Sequence, residues 1–412
     1  MIDFSTFTLS NGLRVVHHYD ASTSHVALNL LYNVGARDES PHLTGMAHLF
    51  EHLMFGGSVN VPDFDQALDV AGGMNNAWTS NDFTNFYEVV SRDNVETAFW
   101  VESDRMLELA FSQRSLEVQR KVVMEEFKQV CINKPYGDTG HLLRGLLYKV
   151  HPYRYPTIGR DLADIERVTM DDVRSFYYTH YSPDNAVLAV TGPVTLGEVR
   201  ELAQKWFGDI PKRIVAPRCY ATEPPVLEAR RLEVVRDVPQ TRITIAFPMD
   251  AYGTHAYRVA DIITDILASG RSARFNRNLV LGTELFTAAD ASISGSEEPG
   301  FLMLNARLRD NGDHTVKAAE EALWQQVHEL AADGVTDYEL ERALNRFESN
   351  RMFAHTNYLA KARELAMCTM HGENINDITS LYRTITADDI RSEASRLFQH
   401  SRSATLIYRS AD

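Results

Sequence analysis

Val168-Thr169-Met170-Asp171-Asp172-Val173-Arg174 returns 217 residues later as Ile385-Thr386-Ala387-Asp388-Asp389-Ile390-Arg391. Each copy reads as the start of a helix. A threonine hydroxyl satisfies one of the orphan amides of the first turn, and the acidic pair behind it suits the positive end of the helix dipole. A strand-like run follows each copy, Asn185 to Thr191 (NAVLAVT) and Ser403 to Tyr408 (SATLIY). The alternating stretch His25 to Tyr32 (HVALNLLY) likewise returns as Arg242 to Met249 (RITIAFPM). Separate elements held at one offset mark a unit written twice. The domains this predicts are 1–215 and 230–412, joined by a linker at 216–229 that contains Pro217, Pro224 and Pro225.

Within each copy the order is strand, strand, helix, further strands, several helices, then a returning helix and strand. Period-two alternation predicts strands at Val15 to His17, Ala27 to Tyr32, Asn85 to Val90 and Ala186 to Val190. Helical periodicity predicts 44–55, 62–71, 93–109, 115–130, 139–149 and 169–180, and in the second copy 254–269, 313–332, 336–352, 356–370 and 386–399. The fold class is therefore α+β: two homologous domains, each a mostly antiparallel sheet with helices packed on one side.

Composition bounds the function. The 412 residues are 44% hydrophobic and 24% charged, ordinary for a soluble globular protein. No run is long enough to cross a bilayer, so no membrane insertion is expected. No basic segment followed by an apolar core is visible at the N-terminus. The expected location is the bacterial cytoplasm, or the periplasm if a leader has been removed. Three cysteines, Cys131, Cys219 and Cys368, make no disulfide framework. A net charge of −15 argues against a nucleic-acid partner.

The chemistry sits in LTGMAHLFEHLMFGG, which contains His48-Leu49-Phe50-Glu51-His52. Positions four apart share a helix face, so His48 and His52 can converge on one ion, with Glu51 beside them to handle protons. This H-x-x-E-H order is the inverted form of the zinc-protease motif. Catalytic zinc sites carry three protein ligands and one open position, so a third ligand must come from another element. The segment SLEVQRKVVMEEFKQV offers Glu125 and Glu126, which point about 100° apart on a helix, so one faces the site. Glu126 lies seven residues after Gln119, and those two can present carboxylate and amide to one cavity. That favours Glu126 without eliminating Glu125. At the 217-residue offset, His48, Glu51, His52 and Glu126 become Asp265, Ala268, Ser269 and Ala343, so the second copy has no equivalent metal set.

On these motifs the chain resembles the pitrilysin/insulinase family of inverted-zincin peptidases, especially its shorter, processing-peptidase-like branch. The resemblance covers nearly all 412 residues. It implies an arrangement as half of a clamshell and one Zn2+ per chain, bound by His48, His52 and Glu126 of the R-x-V-x-x-E-E stretch, with Glu51 as general base. A supporting glutamate common in the family is Gln119 here. The run Gly73-Met74-Asn75-Asn76-Ala77-Trp78-Thr79 resembles the family's cleft-bordering edge strand. It implies substrate binding by Asn76, Ala77 and Trp78, the first through main-chain pairing and the last as a pocket wall. An arginine and a tyrosine that stabilise the substrate carbonyl oxygen in relatives are replaced here by Val280 and Thr287. The implied assembly is a heterodimer with a related subunit supplying that pair, or else a homodimer. The implied activity is hydrolysis of peptides or unfolded segments. The competing readings are a non-catalytic scaffold subunit and a peptide-binding module.

Overall fold

β-Branched and aromatic residues at alternating positions build two mixed sheets. In the computed structural model, which describes residues 1–215 and 217–411, the first sheet contains β1 (Ser5–Thr8), β2 (Arg14–Tyr19), β3 (His25–Tyr32), β4 (Met74–Thr79), β5 (Thr84–Ser91) and β6 (Ala186–Gly192). Their spatial order is β1-β2-β6-β3-β5-β4. The second contains β7 (Arg230–Arg236), β8 (Arg242–Pro248), β9 (Phe286–Ser294), β10 (Phe301–Leu308) and β11 (Ala404–Ser410), in the order β7-β11-β8-β10-β9. β2 runs parallel to β6 and β7 parallel to β11; the other pairings are antiparallel. Position 216, at the start of the expected linker, and position 412 lie outside the described residues.

The two copies share detail as well as order. β5 and β10 begin and end 217 residues apart, as do helices Met170–His180 and Ala387–Leu397. Both helices start with the same reciprocal cap, Thr169 with Asp172 and Thr386 with Asp389. The expected helices fall within about one turn of their predicted bounds. Helix Leu196–Phe207 was not anticipated, although its capping box, Thr195 with Glu198, is a sequence signal. Each sheet carries its main helical layer on one side, as an α+β domain should.

The compact units are discontinuous in sequence. The first comprises Met1–Lys128, Tyr155–Tyr220 and Arg351–Ile378; the second comprises Gln129–Arg154, Ala221–Asn350 and Thr379–Asp412. Helix Tyr358–His371, late in the chain, thus belongs with the first sheet, and helix Thr139–Leu147, from the first half, with the second. In the first unit Ala362, Leu365, Ala366 and Cys368 pack on Val16, Ala27, Leu31, Val89, Val187 and Ala189. In the second, Leu143 and Leu147 pack on Ala246, Phe301, Leu406 and Tyr408. The alternation in β3 reads as a half-buried strand, yet β3 is buried from Val26 to Tyr32. The late helix covers the face that the helical layer of the first half leaves open.

Helix Val95–Leu107 holds the other face of the first sheet through Arg105, which is fully buried. Its guanidinium pairs with Glu102 and, at 3.1 Å, with Glu88 of β5, and lies over the rings of Phe55, Phe64 and Phe86. Burial and the neighbouring Glu102 push the Glu88 carboxyl well above the usual range. Two carboxyls facing a single guanidinium in a dry site favour the neutral form of Glu88.

Candidate metal centre

Helix Met46–Leu53 begins at Gly45, whose φ of +86° is left-handed; a Cβ there would meet the Ile158 carbonyl oxygen at 2.9 Å. A glycine has no side chain to cap with. The Glu39 carboxylate does so instead, accepting the amides of Gly45 and Ala47, each at 2.8 Å. Burial pushes the Glu39 carboxyl well above its ordinary value, against those two amide hydrogen bonds. Just before the helix, the Thr44 hydroxyl donates to buried Asp164 at 2.7 Å and accepts the Arg160 amide at 2.7 Å. The inner face buries Met46, Ala47, Leu49, Phe50 and Leu53, with the Phe50 ring among Tyr177 and Tyr181. His48, Glu51 and His52 are left on the half-buried outer face.

Helix Gln113–Phe127 is capped by Ser112 and buries Leu116, Val123 and Phe127. That orientation brings Glu126 to the histidines, 3.7 Å from His48 Nε2 and 3.4 Å from His52 Nε2. Glu125 turns away and pairs with Lys128 at 2.6 Å. The imidazole rings are 4.9 Å apart and nearly perpendicular, and one ligand atom from each of the three residues lies within 4.8 Å of the others. Ligands of a tetrahedral zinc at roughly 2.1 Å sit about 3.4 Å from each other, so this donor set fits such an ion. His48 Nδ1 is buried without a hydrogen-bond partner among the described residues, while its Nε2 faces Glu126. The Gln119 amide reaches His52 as a hydrogen-bond partner.

The electrostatics of the three are uneven. Burial pushes His48 down to about 4, although Glu126 pulls the other way, so its ring is neutral and able to ligate at neutral pH. Burial is the largest single influence on His52 and lowers it, but the hydrogen bond to Glu126, the charges of Glu126 and Glu51 and the hydrogen bond to Gln119 together outweigh it, and the net shift is upward. The same hydrogen bond holds the Glu126 carboxyl below its ordinary value. Burial raises Glu51, against a hydrogen bond from Thr79 that favours its anion.

The edge strand is less uniform than the motif suggests. Among the described residues β4 pairs with β5 alone, which makes it the edge strand of the sheet, and Asn76 and Ala77 lie in it. The Asn76 side chain accepts the Ala77 amide at 2.7 Å. Trp78 is half-buried in the cluster that docks helix Tyr358–His371, on the sheet face away from helix Met46–Leu53. Thr79, on the alternate face, donates its hydroxyl to Glu51 Oε2 at 2.5 Å. Sequence reading gave Thr79 no role. The period-two geometry that separates it from Trp78 was the available signal.

Residues 14–147 match a family model described as insulinase (peptidase family M16), and residues 167–347 match one described as the peptidase M16 inactive domain. The chain belongs to the M16 family. This M16 chain is 29% identical over 347 residues to zinc protease PqqE of Helicobacter pylori, which spans 81% of this chain and 76% of that protein. It is 25% identical over 361 residues to the probable mitochondrial-processing peptidase subunit beta of Arabidopsis thaliana, across 83% of this chain and 66% of that one. The fold matches a solved protease from Helicobacter pylori with a TM-score of 0.91 at 24% identity, covering 99% and 100% of the two chains. It also matches pitrilysin with a TM-score of 0.82 at 17% identity, covering 99% of this M16 chain and 45% of pitrilysin. Within the M16 chain, His48, His52 and Glu126 lie in the segment matched by the insulinase model.

Proposed function

We propose that this chain is a zinc-dependent endopeptidase or oligopeptidase that hydrolyses extended peptides. The observation that carries the proposal is the convergence of His48, His52 and Glu126 within 4.8 Å, with Glu51 on the same helix face. His48, His52 and Glu126 would hold one zinc ion, which would supply Lewis acidity at the reacting centre. Glu51 takes the proton of the attacking water as the new C–O bond forms. It then delivers that proton to the departing amine nitrogen as the C–N bond breaks. Gln119 orients His52 without adding a second negative charge. The Asn76 side chain, which here accepts the Ala77 amide, and the Ala77 main chain meet an incoming peptide backbone along the edge of β4, an arrangement that suits unfolded segments.

The region 1–215 is the zinc-bearing domain and 230–412 its degenerate homologue. In the latter, the counterpart of His48 is Asp265, which faces Arg346 at 3.8 Å. Val280 and Thr287 bring no charged donor for the carbonyl oxygen, and the Thr287 hydroxyl is engaged with Gln240. The reading therefore includes a related subunit that supplies an arginine and a tyrosine, with a homodimer as the alternative. No helix among the described residues is long and apolar enough to cross a membrane.

Elemental analysis combined with a cleavage map on a random peptide mixture tests the proposal. One zinc per chain and chelator-sensitive cleavage are expected; a metal-free protein, or cleavage indifferent to chelator, sinks it. Activity of the chain alone equal to that of any mixture with a second subunit removes the complementing subunit.

A further inference from the structure

The residue that holds Glu51 comes from the edge strand, not from the metal-binding helices. Pairing with β5 sets Asn75, Ala77 and Thr79 opposite Glu88, Phe86 and Thr84, and so on the face that carries Arg105 and the helical layer. Met74, Asn76 and Trp78 take the other face, where Arg363 covers the Tyr87 ring. Thr79 is the last residue of β4 and is itself firmly placed. The Ser80 amide donates to Phe83 O at 2.8 Å, and Ser80 O accepts the Ala36 amide at 3.0 Å. From that anchor the Thr79 hydroxyl donates to Glu51 Oε2 at 2.5 Å.

We propose that Thr79 is a positioning residue for Glu51: its hydroxyl occupies Oε2, fixes the carboxylate plane, and leaves Oε1 to receive and return the proton of the attacking water. The same strand offers its open edge to the peptide, so one rigid hairpin sets both the substrate backbone and the base that serves it. This rests on the reading of Glu51 as general base.

Thr79→Val removes the hydroxyl and keeps the side-chain shape, and Thr79→Ser restores the hydroxyl. In the full-length, zinc-loaded chain assayed on internally quenched peptides, Thr79→Val should lower kcat by about 10- to 100-fold, the cost of a misplaced catalytic group. KM should stay within about twofold, since ground-state binding is untouched. Thr79→Ser should recover most of the rate, and zinc content should be unchanged in both variants. Undiminished kcat in Thr79→Val overturns the proposal, as does a Thr79→Ser variant no better than Thr79→Val. A crystal structure of Thr79→Val gives an answer independent of turnover. A displaced or divided Glu51 side chain supports the proposal, and an unchanged one overturns it. If the zinc-loaded parent cleaves no peptide, the hydrolase reading fails by itself, and the crystallographic comparison alone decides the role of Thr79.

Discussion

Glu51 and His48 sit three residues apart on one helix face, and the proposed function gives them separable jobs, so their substitutions should part company. Glu51→Gln keeps the shape and the ligand set but cannot accept a proton. Turnover should fall by at least about 100-fold with zinc content intact, read by elemental analysis beside initial rates. His48→Ala removes a ligand, so zinc content and activity should fall together; unchanged zinc would strike His48 from the site. Trp78 belongs to a different account. Its ring is part of the cluster that docks helix Tyr358–His371, so Trp78→Ala should cost roughly 2–3 kcal/mol of stability by loss of buried apolar surface. Zinc affinity should be unaffected, and urea melts paired with a zinc titration separate the two effects. A loss of peptide affinity without loss of stability would return Trp78 to the cleft.

At the scale of elements, the late helix Tyr358–His371 is fastened to the first sheet by an ion pair as well as by apolar packing. Lys361 bonds to Asp20, just after β2, and Lys361 Nζ lies 3.2 Å from His18 Nε2. Burial acts to raise the Asp20 carboxyl, but Lys361 and Ser22 together hold it down to about 2. A depressed carboxylate contributes stability that is fully present above its unfolded value near 4, and that is lost as pH falls through about 2. The contribution is on the order of 2 kcal/mol. Denaturant melts at pH 6 and near pH 2.5 should therefore show a larger loss for the parent than for Asp20→Asn, which has no proton to take up. Equal losses would mean that the pair contributes nothing to docking this helix. The ligand helices depend on comparable fastenings, Glu39 on the first amides of Met46–Leu53 and Ser112 on those of Gln113–Phe127.

At the scale of the whole molecule, the two sequence copies are not independently complete. Helix Tyr358–His371 buries one face of the first sheet, so a fragment ending at residue 215 exposes Val16, Ala27, Leu31, Val89, Val187 and Ala189. Expressed alone, that fragment should show little slow amide exchange in β3 and β6. Addition of the remaining fragment should restore protection, whereas strong protection in the isolated piece would show that the late helix is dispensable. Much was legible beforehand. The repeat, the helices and the two histidines follow from periodicity and caps, which are local and obey the 3.6- and 2-residue geometry of the backbone. Spacing favoured Glu126 over Glu125 without deciding it, and the hydroxyl of Thr79 on Glu51 and the inward turn of Trp78 were not legible, because each depends on which face a neighbouring element covers. By itself the sequence determined that there are two copies of one α+β unit and that one copy carries the paired histidines His48 and His52 on a helix. Only the tertiary structure decided that each sheet borrows a helix from the other half of the chain. A helix's apolar stripe specifies that it must be buried and says nothing about which of two similar sheets will bury it.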